Sequence, residues 1–242
     1  MMKSHHLLIR RAAGGMLALL LGLQVAGVPA ADKAKDNSSG RIAPVPVITY
    51  EPPLRGVPRT RVGAGTRGSG DAAVLQVLAP DHIGLTTVAQ PTLYWYASTP
   101  CTARFEVALI DEEGIEPLVD VDTEGGKTAG IRHLNLEDHG VSLQPGVTYQ
   151  WSVALVADGG SCPSGLVASG VIERVVPDEP LASRIKDSSG LNRVAVLAGE
   201  GIWYDALHEL STLIAESPGD GSLPAIRDDL LKQVGLQVVT GH

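Results

Sequence analysis

Aromatic residues and cysteines are scarce in this chain of 242 residues. Aromatic side chains make up 4% of it, and only Cys101 and Cys162 carry a thiol. Few aromatic rings argue against a carbohydrate-binding platform, which presents exposed rings to the sugar. No C-x-x-C, H-E-x-x-H or G-x-S-x-G motif occurs either, so no redox, zinc-peptidase or serine-hydrolase centre is marked. We therefore predict a protein without catalytic residues, bound metal or cofactor.

Positive charge is also in deficit. The chain has 19 Lys and Arg against 27 Asp and Glu, which gives a formal net charge of −8. A negative chain repels phosphate backbones and anionic lipid headgroups. The charge balance therefore argues against nucleic acid or a membrane surface as the partner.

The first 30 residues have the pattern of a secretory signal peptide. A basic start precedes an uncharged apolar run, and the small residues Val28 and Ala30 follow at a cleavage site. The alternative, a transmembrane anchor, needs about 20 apolar residues, and glycines interrupt this shorter run. No later run is long enough to span a bilayer. We predict a signal peptide over residues 1–30, export to the periplasm and no integral membrane span after cleavage.

Residues 31–70 are predicted to form an extended or disordered arm, because prolines recur there and apolar residues are few. The arm contains GAGTRG (63–68), which fits the dinucleotide-binding template G-x-G-x-x-G. That template binds pyrophosphate only between a buried strand and a helix N-terminus. The residues before Gly63 do not resemble a buried strand, and a loop and a strand are predicted after Gly68. We predict a flexible loop here and no nucleotide site.

Short β-type runs separated by turn residues fill residues 71–176, a pattern typical of an all-β sandwich. In RFEVALID and TYQWSVALV the apolar residues alternate with period two, so one face of each strand is predicted to be buried. LQPGVTYQW (143–151) resembles the entry to strand F of fibronectin type III and immunoglobulin-like domains. Tyr149 is then a candidate tyrosine corner, its hydroxyl bonded to backbone a few residues upstream, and Trp151 faces the core. The alternative is an ordinary core tyrosine in a hairpin.

After two prolines, residues 177–242 change to a helical pattern. In IWYDALHELSTLIAE the apolar residues recur at i, i+3, i+4 and i+7, with Trp203 on the apolar face. Asp205 falls on the opposite side, and His208 follows it by one helical turn, a spacing that suits a surface contact. Gly201 permits a tight turn between two helices. The pattern predicts a helical hairpin or three short helices.

Two further features have more than one interpretation. The even cysteine count of an exported chain favours a Cys101–Cys162 disulfide, with two free thiols or a nucleophilic cysteine as the alternatives. DVDTEG (120–125) resembles the start of a calcium loop, which should end in a bidentate Glu at its twelfth position. Ile131 stands at that position, so a solvated acidic turn is favoured.

Three blocks of sequence together resemble a bacterial family called domain of unknown function 928. They are PPLRGVPRTRVGAGTRG (52–68), LAPDHIGLTTVAQPTLYWYAS (78–98), and GIWYDAL (201–207) followed by LLKQVGL (230–236). The resemblance implies an exported envelope protein with no assigned activity, and it transfers no catalytic residue to this chain.

The complete prediction is a mainly β protein with α-helices: an immunoglobulin- or fibronectin-III-like β-sandwich followed by a C-terminal helical segment. The leading hypothesis for its function is a non-catalytic periplasmic protein-interaction module whose partner is another envelope protein. Sandwich edges bind extended partners by strand addition, and helical hairpins offer apolar grooves. A small periplasmic hydrolase or a carbohydrate-binding module is the alternative.

Overall fold

A computed structural model describes most of the chain beyond the predicted leader. The described residues are 46–53, 64–65, 73–98, 104–112, 114–124, 128–156 and 165–237. The predicted signal peptide (1–30) and the predicted disulfide partners Cys101 and Cys162 lie outside them. The described residues belong to one unit that spans Pro44–His242. Among their helices, none has the length and apolar character needed to cross a membrane.

Nine strands in the described residues form two sheets. The strands are β1 Ala64–Gly65, β2 Val74–Val77, β3 Gly84–Thr86, β4 Thr92–Ala97, β5 Arg104–Asp111, β6 Val119–Thr123, β7 Gly130–Asn135, β8 Thr148–Val156 and β9 Leu166–Arg174. One sheet has the order β1-β2-β4-β7, and the other has the order β3-β9-β8-β5-β6. The pair β3–β9 is parallel and the other pairs are antiparallel. The protein is therefore mainly β, as predicted.

The buried faces of β5 and β8 confirm the period-two prediction. Phe105, Val107 and Leu109 of β5 are at most 1% exposed, and the residues between them are more exposed. Tyr149 and Trp151 of β8 are buried in the same alternating way. Trp95 of β4 packs edge-on against Phe105, with ring centroids 5.8 Å apart. The inner faces of the two sheets therefore share one apolar core, whose burial is the main source of stability.

An acidic segment that we predicted to be a turn is an edge strand. Asp120–Thr123 belong to β6, which pairs with β5, so the prediction of a solvated turn over DVDTEG is wrong for these residues. Val119 is buried, whereas the two aspartates lie on the more exposed side, and Asp122 accepts a hydrogen bond from Arg104 at 2.8 Å. Edge strands tolerate charged residues on their outer face. The extended backbone also excludes the tight calcium loop as the conformation of residues 120–123.

Part of GAGTRG (63–68) is a strand, where a flexible loop was predicted. Ala64 and Gly65 form β1, which pairs antiparallel with Leu75 and Val74 of β2. The next described element after β1 is a strand and not a helix, so the segment lacks the strand–helix arrangement that holds a pyrophosphate.

In the part of the chain that the structure describes, four α-helices follow the strands: α1 Glu179–Asp187, α2 Gly190–Gly199, α3 Trp203–Glu216 and α4 Ser222–Gln233. The prediction of a hairpin or three short helices is therefore wrong in number. The boundary between α1 and α2 was missed because no proline marks it. Ser188 ends α1 by donating to the carbonyl of Ile185, and Gly190 starts α2 with a φ of +54°.

Residues 46–53, which we name the strap, pack against the helices, although an arm with little to bury was predicted here. Tyr50 is 7% exposed, and its ring meets Trp203 edge-on with centroids 5.0 Å apart. The Tyr50 N–H donates to the side chain of Gln233 at 2.8 Å, and Gln233 donates back to the carbonyl of Ile48 at 3.0 Å. Residues 46–53 form neither helix nor strand, so an extended arm is not contradicted here, but the low average apolar content did not indicate that one large aromatic ring packs against the helices.

The first turn of α3 joins the helices to both sheets. Trp203 Nε1 donates to the carbonyl of Leu78, just beyond β2, at 2.8 Å. The Tyr204 hydroxyl accepts from Trp151 Nε1 at 2.9 Å and donates to the carbonyl of Val171 at 3.1 Å. Both aromatic residues are fully buried, and burial raises the pKa of Tyr204. These contacts fix the start of α3 and so determine where the rest of the helix runs.

Candidate functional site

A groove runs along α3 on the side where the helix faces the β3–β4 loop and the outer face of β4 and β7. A cavity of about 490 Å³ lies beside the first half of α3, where that loop and α2 supply the other walls. A second cavity, of about 690 Å³, lies between the second half of α3, α4 and the sheet. Thr92, Asn135 and His208 line both cavities, so we treat them as one site, the α3 groove.

The sheet presents polar side chains to the α3 groove because the side chains of β4 and β7 alternate between its two faces, and paired residues share a face. Thr92 and Tyr94 of β4 lie opposite Asn135 and His133 of β7, and all four line the groove. Successive residues of a strand point to opposite faces, so Trp95 points instead to the core between the sheets. The same alternation therefore builds an apolar core on one side and a polar floor on the other.

Asp205 is fixed in the wall of the groove, so its predicted position on the solvent side of α3 is wrong. Its carboxylate accepts from the Thr86 hydroxyl at 2.5 Å, and from the hydroxyl and the backbone N–H of Thr87 at 2.5 and 2.9 Å. Burial raises the pKa of Asp205, and the hydrogen bonds from Thr86 and Thr87 oppose that rise. Asp205 thereby ties α3 to the start of the β3–β4 loop.

His208 occupies the middle of the groove, one helical turn after Asp205. Its Nδ1 and the Tyr94 hydroxyl share a hydrogen bond of 3.0 Å, and His208 also interacts electrostatically with Asp205, the neighbour that the spacing suggested. The Tyr94 ring also lies 5.6 Å from the ring of His133, centroid to centroid. Burial raises the pKa of Tyr94, while Ser211 and the charge of Arg227 oppose that rise. Tyr94 is therefore the residue around which the two histidines are arranged.

The two ends of the groove carry arginines in different states. Arg193 on α2 donates to the carbonyl of Ser188 from two of its nitrogens and lies 3.7 Å from the carboxylate of Glu209. Arg227 on α4 is half-buried, and its Nε is fully buried without a hydrogen-bond partner among the described residues. Burial lowers the pKa of Arg227, which the charge of Asp228 partly offsets. One end of the groove is thus neutralised and the other is cationic.

Two hydroxyls of the described groove residues already form hydrogen bonds within the protein. The Thr87 hydroxyl is bonded to Asp205, and the Ser211 hydroxyl donates to the carbonyl of Leu207 at 2.7 Å. Nucleophilic catalysis would need one of these hydroxyls within hydrogen-bond reach of a base such as His208, whose described partner is Tyr94. The described part of the chain also contains no group of three His, Cys, Asp or Glu side chains placed to bind a metal ion.

The four residues predicted to be structural lie outside the walls of the groove. Trp151 and Trp203 are fully buried, and the buried Tyr149 accepts a hydrogen bond from the backbone N–H of Gln144 at 3.0 Å. Gly201 lies between α2 and α3 with a φ of +72°. These residues form the scaffold that positions the groove.

Sequence reasoning did not identify the groove itself. Tyr94, Asp205 and His208 come from distant parts of the chain, and Thr86 bonds Asp205 across 119 positions. The spacing of Asp205 and His208 was the one local signal, but the helical pattern placed both on a solvated surface, which holds for the exposed His208 and not for Asp205. Only the fold brings the β3–β4 loop over that surface.

A comparison with family models yields one match, which identifies the family of the chain. The model described as Domain of Unknown Function (DUF928) matches residues 62–241. The match begins within the first of the three resembling blocks and contains the other two, together with every wall of the α3 groove. A search of curated proteins found no match. The chain belongs to the family with the domain of unknown function DUF928.

Proposed function

We propose that the protein is a non-catalytic protein-interaction module of the bacterial cell envelope, and that its α3 groove binds an extended segment of another envelope protein. The observation that carries this proposal is the length of the groove. Its α3 wall runs from Asp205 to Glu216, which at 1.5 Å per residue is about 17 Å. An extended chain advances about 3.3 Å per residue, so a segment of about five residues would fill the groove.

The polar lining supports a peptide as the occupant. Side chains that donate or accept hydrogen bonds recur along the whole groove, from Asp205 through Asn135 and Thr92 to Ser211. A bound peptide exposes an N–H and a carbonyl at every residue, and each needs a partner when water is excluded. The alternative functions have less support, since Tyr94, the aromatic residue between the histidines, is only 7% exposed and offers no open platform to a sugar.

A matched pair of substitutions tests the groove. Ala215 and Ala225 are both exposed helical residues, but only Ala215 lines the groove. We expect the protein to capture a partner from its own periplasmic extract, Ala225→Trp to capture the same partner, and Ala215→Trp to lose it because the indole fills the groove. Equal capture by both variants would show that the partner binds elsewhere.

The envelope location rests on the leader. Residues 1–30 combine a basic start, an apolar run and small residues before the predicted cleavage site. N-terminal sequencing of the protein from a periplasmic fraction should begin near Ala31. Recovery of a chain that begins at Met1 in the membrane fraction would contradict export with cleavage.

We also propose that the two sheets form an immunoglobulin- or fibronectin-III-like sandwich. The strand order supports it, because β2-β4-β7 and β9-β8-β5-β6 follow the A-B-E and G-F-C-C′ orders of such domains. Tyr149 lies near the start of β8, the strand that corresponds to F, and bonds to Gln144 upstream as a tyrosine corner does. An experimental structure should show the two sheets aligned within about 30°; near-perpendicular sheets would contradict the assignment.

A further inference from the structure

The Arg227 end of the α3 groove holds a positive charge that forms no ion pair among the described residues. The guanidinium stays ionised at any physiological pH, and its Nε is buried without a hydrogen-bond partner among the described residues. Buried charges are normally paired, because desolvation of an unpaired charge is costly. Asp228 lowers that cost electrostatically, but the structure shows no ion pair between it and Arg227.

The acidic side chains in this part of the groove do not supply the missing partner. Asp138 and Glu216 both line the cavity, yet neither forms an ion pair with Arg227 in the described structure. The groups gathered here from the sheet and α3 are His133, Tyr94 and His208. Tyr94 and His208 share one hydrogen bond, so that pair has one O–H or N–H left to donate to an anion, and the His133 imidazole can donate another. The site therefore combines a cation, neutral donors and an open cavity of about 690 Å³.

We propose that the Arg227 end of the α3 groove binds a carboxylate, carried by an acidic side chain of the partner's extended segment. The guanidinium fork can bind the two oxygens of a carboxylate at once, which is the geometry that favours arginine over lysine. A monoanion fits better than a phosphate, because Asp138, Glu216 and the net charge of −8 repel a more highly charged group. This proposal rests on the proposed function for one point: the carboxylate is carried by the extended segment of another envelope protein.

The test uses the Nε–H signal of Arg227 in the 15N-labelled protein. Burial should keep this proton in slow exchange, and Arg193, whose Nε donates to Ser188 at 3.0 Å, gives an internal reference signal. Three probes are titrated: sodium acetate, the capped peptide Ala-Ala-Glu-Ala-Ala, and the same peptide with Gln in place of Glu. We expect acetate and the Glu peptide to shift the Arg227 signal and to leave the Arg193 signal in place.

Substitutions distinguish the contribution of the forked shape of the Arg227 guanidinium from the contribution of its positive charge. Arg227→Lys keeps the charge but loses the fork, and we expect it to bind the Glu peptide about tenfold more weakly. Arg184→Gln removes an arginine that pairs with Glu200 outside the groove, so it should leave the affinity unchanged. Circular dichroism and the dispersion of the remaining amide signals check that each variant is folded.

The outcomes distinguish the two proposals. If the Gln peptide shifts the groove amides of Ser211 and Thr212 with the same affinity as the Glu peptide, the carboxylate site is refuted and the peptide groove stands. If acetate shifts the Arg227 signal but neither peptide shifts those amides, the groove binds carboxylates and the proposed protein partner is refuted. No response of Arg227 to either carboxylate overturns the inference.

Discussion

Replacing Gly201 with alanine should release the strap from the helices, and a second glycine separates the two causes of the damage. Gly201 has a φ of +72°, which L residues rarely adopt. A Cβ at this position would also lie 2.8 Å from the carbonyl oxygen of Glu51 and 3.0 Å from Cδ of Pro53, both in the strap. Gly235 has nearly the same φ, +71°, and an added Cβ there meets nothing within 4 Å.

The two substitutions should differ by the energy of strap docking that is lost. Left-handed backbone costs an alanine about 1–2 kcal/mol, and this is the whole expected effect of Gly235→Ala. In Gly201→Ala the strap must also move, and the nearest hydrogen bond at risk is that from the Glu51 N–H to the carbonyl of Ala198, 3.0 Å long. One or two lost hydrogen bonds at about 0.5–1.5 kcal/mol each bring the total to about 1.5–5 kcal/mol.

Urea denaturation of the two variants measures the difference, and limited proteolysis locates it. We expect Gly201→Ala to have the lower free energy of unfolding and to be cut faster within residues 46–53, where Tyr50 loses its packing on Trp203. Gly235→Ala should be cut at the parent rate. Equal losses of stability, with a strap that stays protected in both variants, would refute the view that Gly201 is required by the approach of the strap.

Three further predictions concern other parts of the fold. Tyr149→Phe removes the acceptor for the Gln144 N–H and should cost about 1 kcal/mol by denaturation, whereas an unchanged midpoint would show that this bond adds nothing. A Cys101–Cys162 bond would close a loop of about 60 residues and contribute about 4 kcal/mol, so reduction should lower the midpoint unless the thiols are free. Because burial raises the folded pKa of Asp205, the native state holds its proton more tightly, and this residue's contribution to stability should fall as pH rises above about 4. The stability difference between the parent and Asp205→Asn should therefore shrink as pH rises through that window; a difference that grows would mean that the three donors outweigh burial.

The strands with a strong alternating pattern could be predicted from sequence, and the short ones could not. β5 and β8 begin and end where RFEVALID and TYQWSVALV begin and end, because their apolar period fixes which face is buried. β3 has three residues and all of them are buried, so it has no alternation to detect. In β6 the aspartates alternate with valines, and this acidic composition suggests a turn more strongly than a strand. The buried position of Val119 was therefore not predicted. Edge position, which makes those aspartates acceptable, is a property of the sheet and not of the segment.

The residues of the α3 groove could not be predicted for a different reason. Local patterns report the preference of a segment for water or for a core, and Asp205 and His208 read as solvated by that criterion. Their partners Thr86 and Tyr94 reach them only after α3 has docked through Trp203 and Tyr204. The aromatic scaffold residues were recognisable because they are large and lie on apolar faces, whereas the polar residues of the groove are brought together by contacts between distant segments that no local pattern encodes.

The two halves of α3 differ in how completely the polar groups around them are satisfied within the described residues. The first turn inserts two aromatic rings whose polar atoms are all hydrogen-bonded, as a buried interface requires. The second half lies over a polar sheet face and leaves a cavity of about 690 Å³ with a half-buried arginine at its end. An apolar face there would have extended the core and added stability at about 25 cal/mol per Å² buried. Polar groups are satisfied around the first turn of α3, whereas Arg227 of α4, beside its second half, has no ion pair among the described residues, and such departures from self-consistency are expected at functional sites.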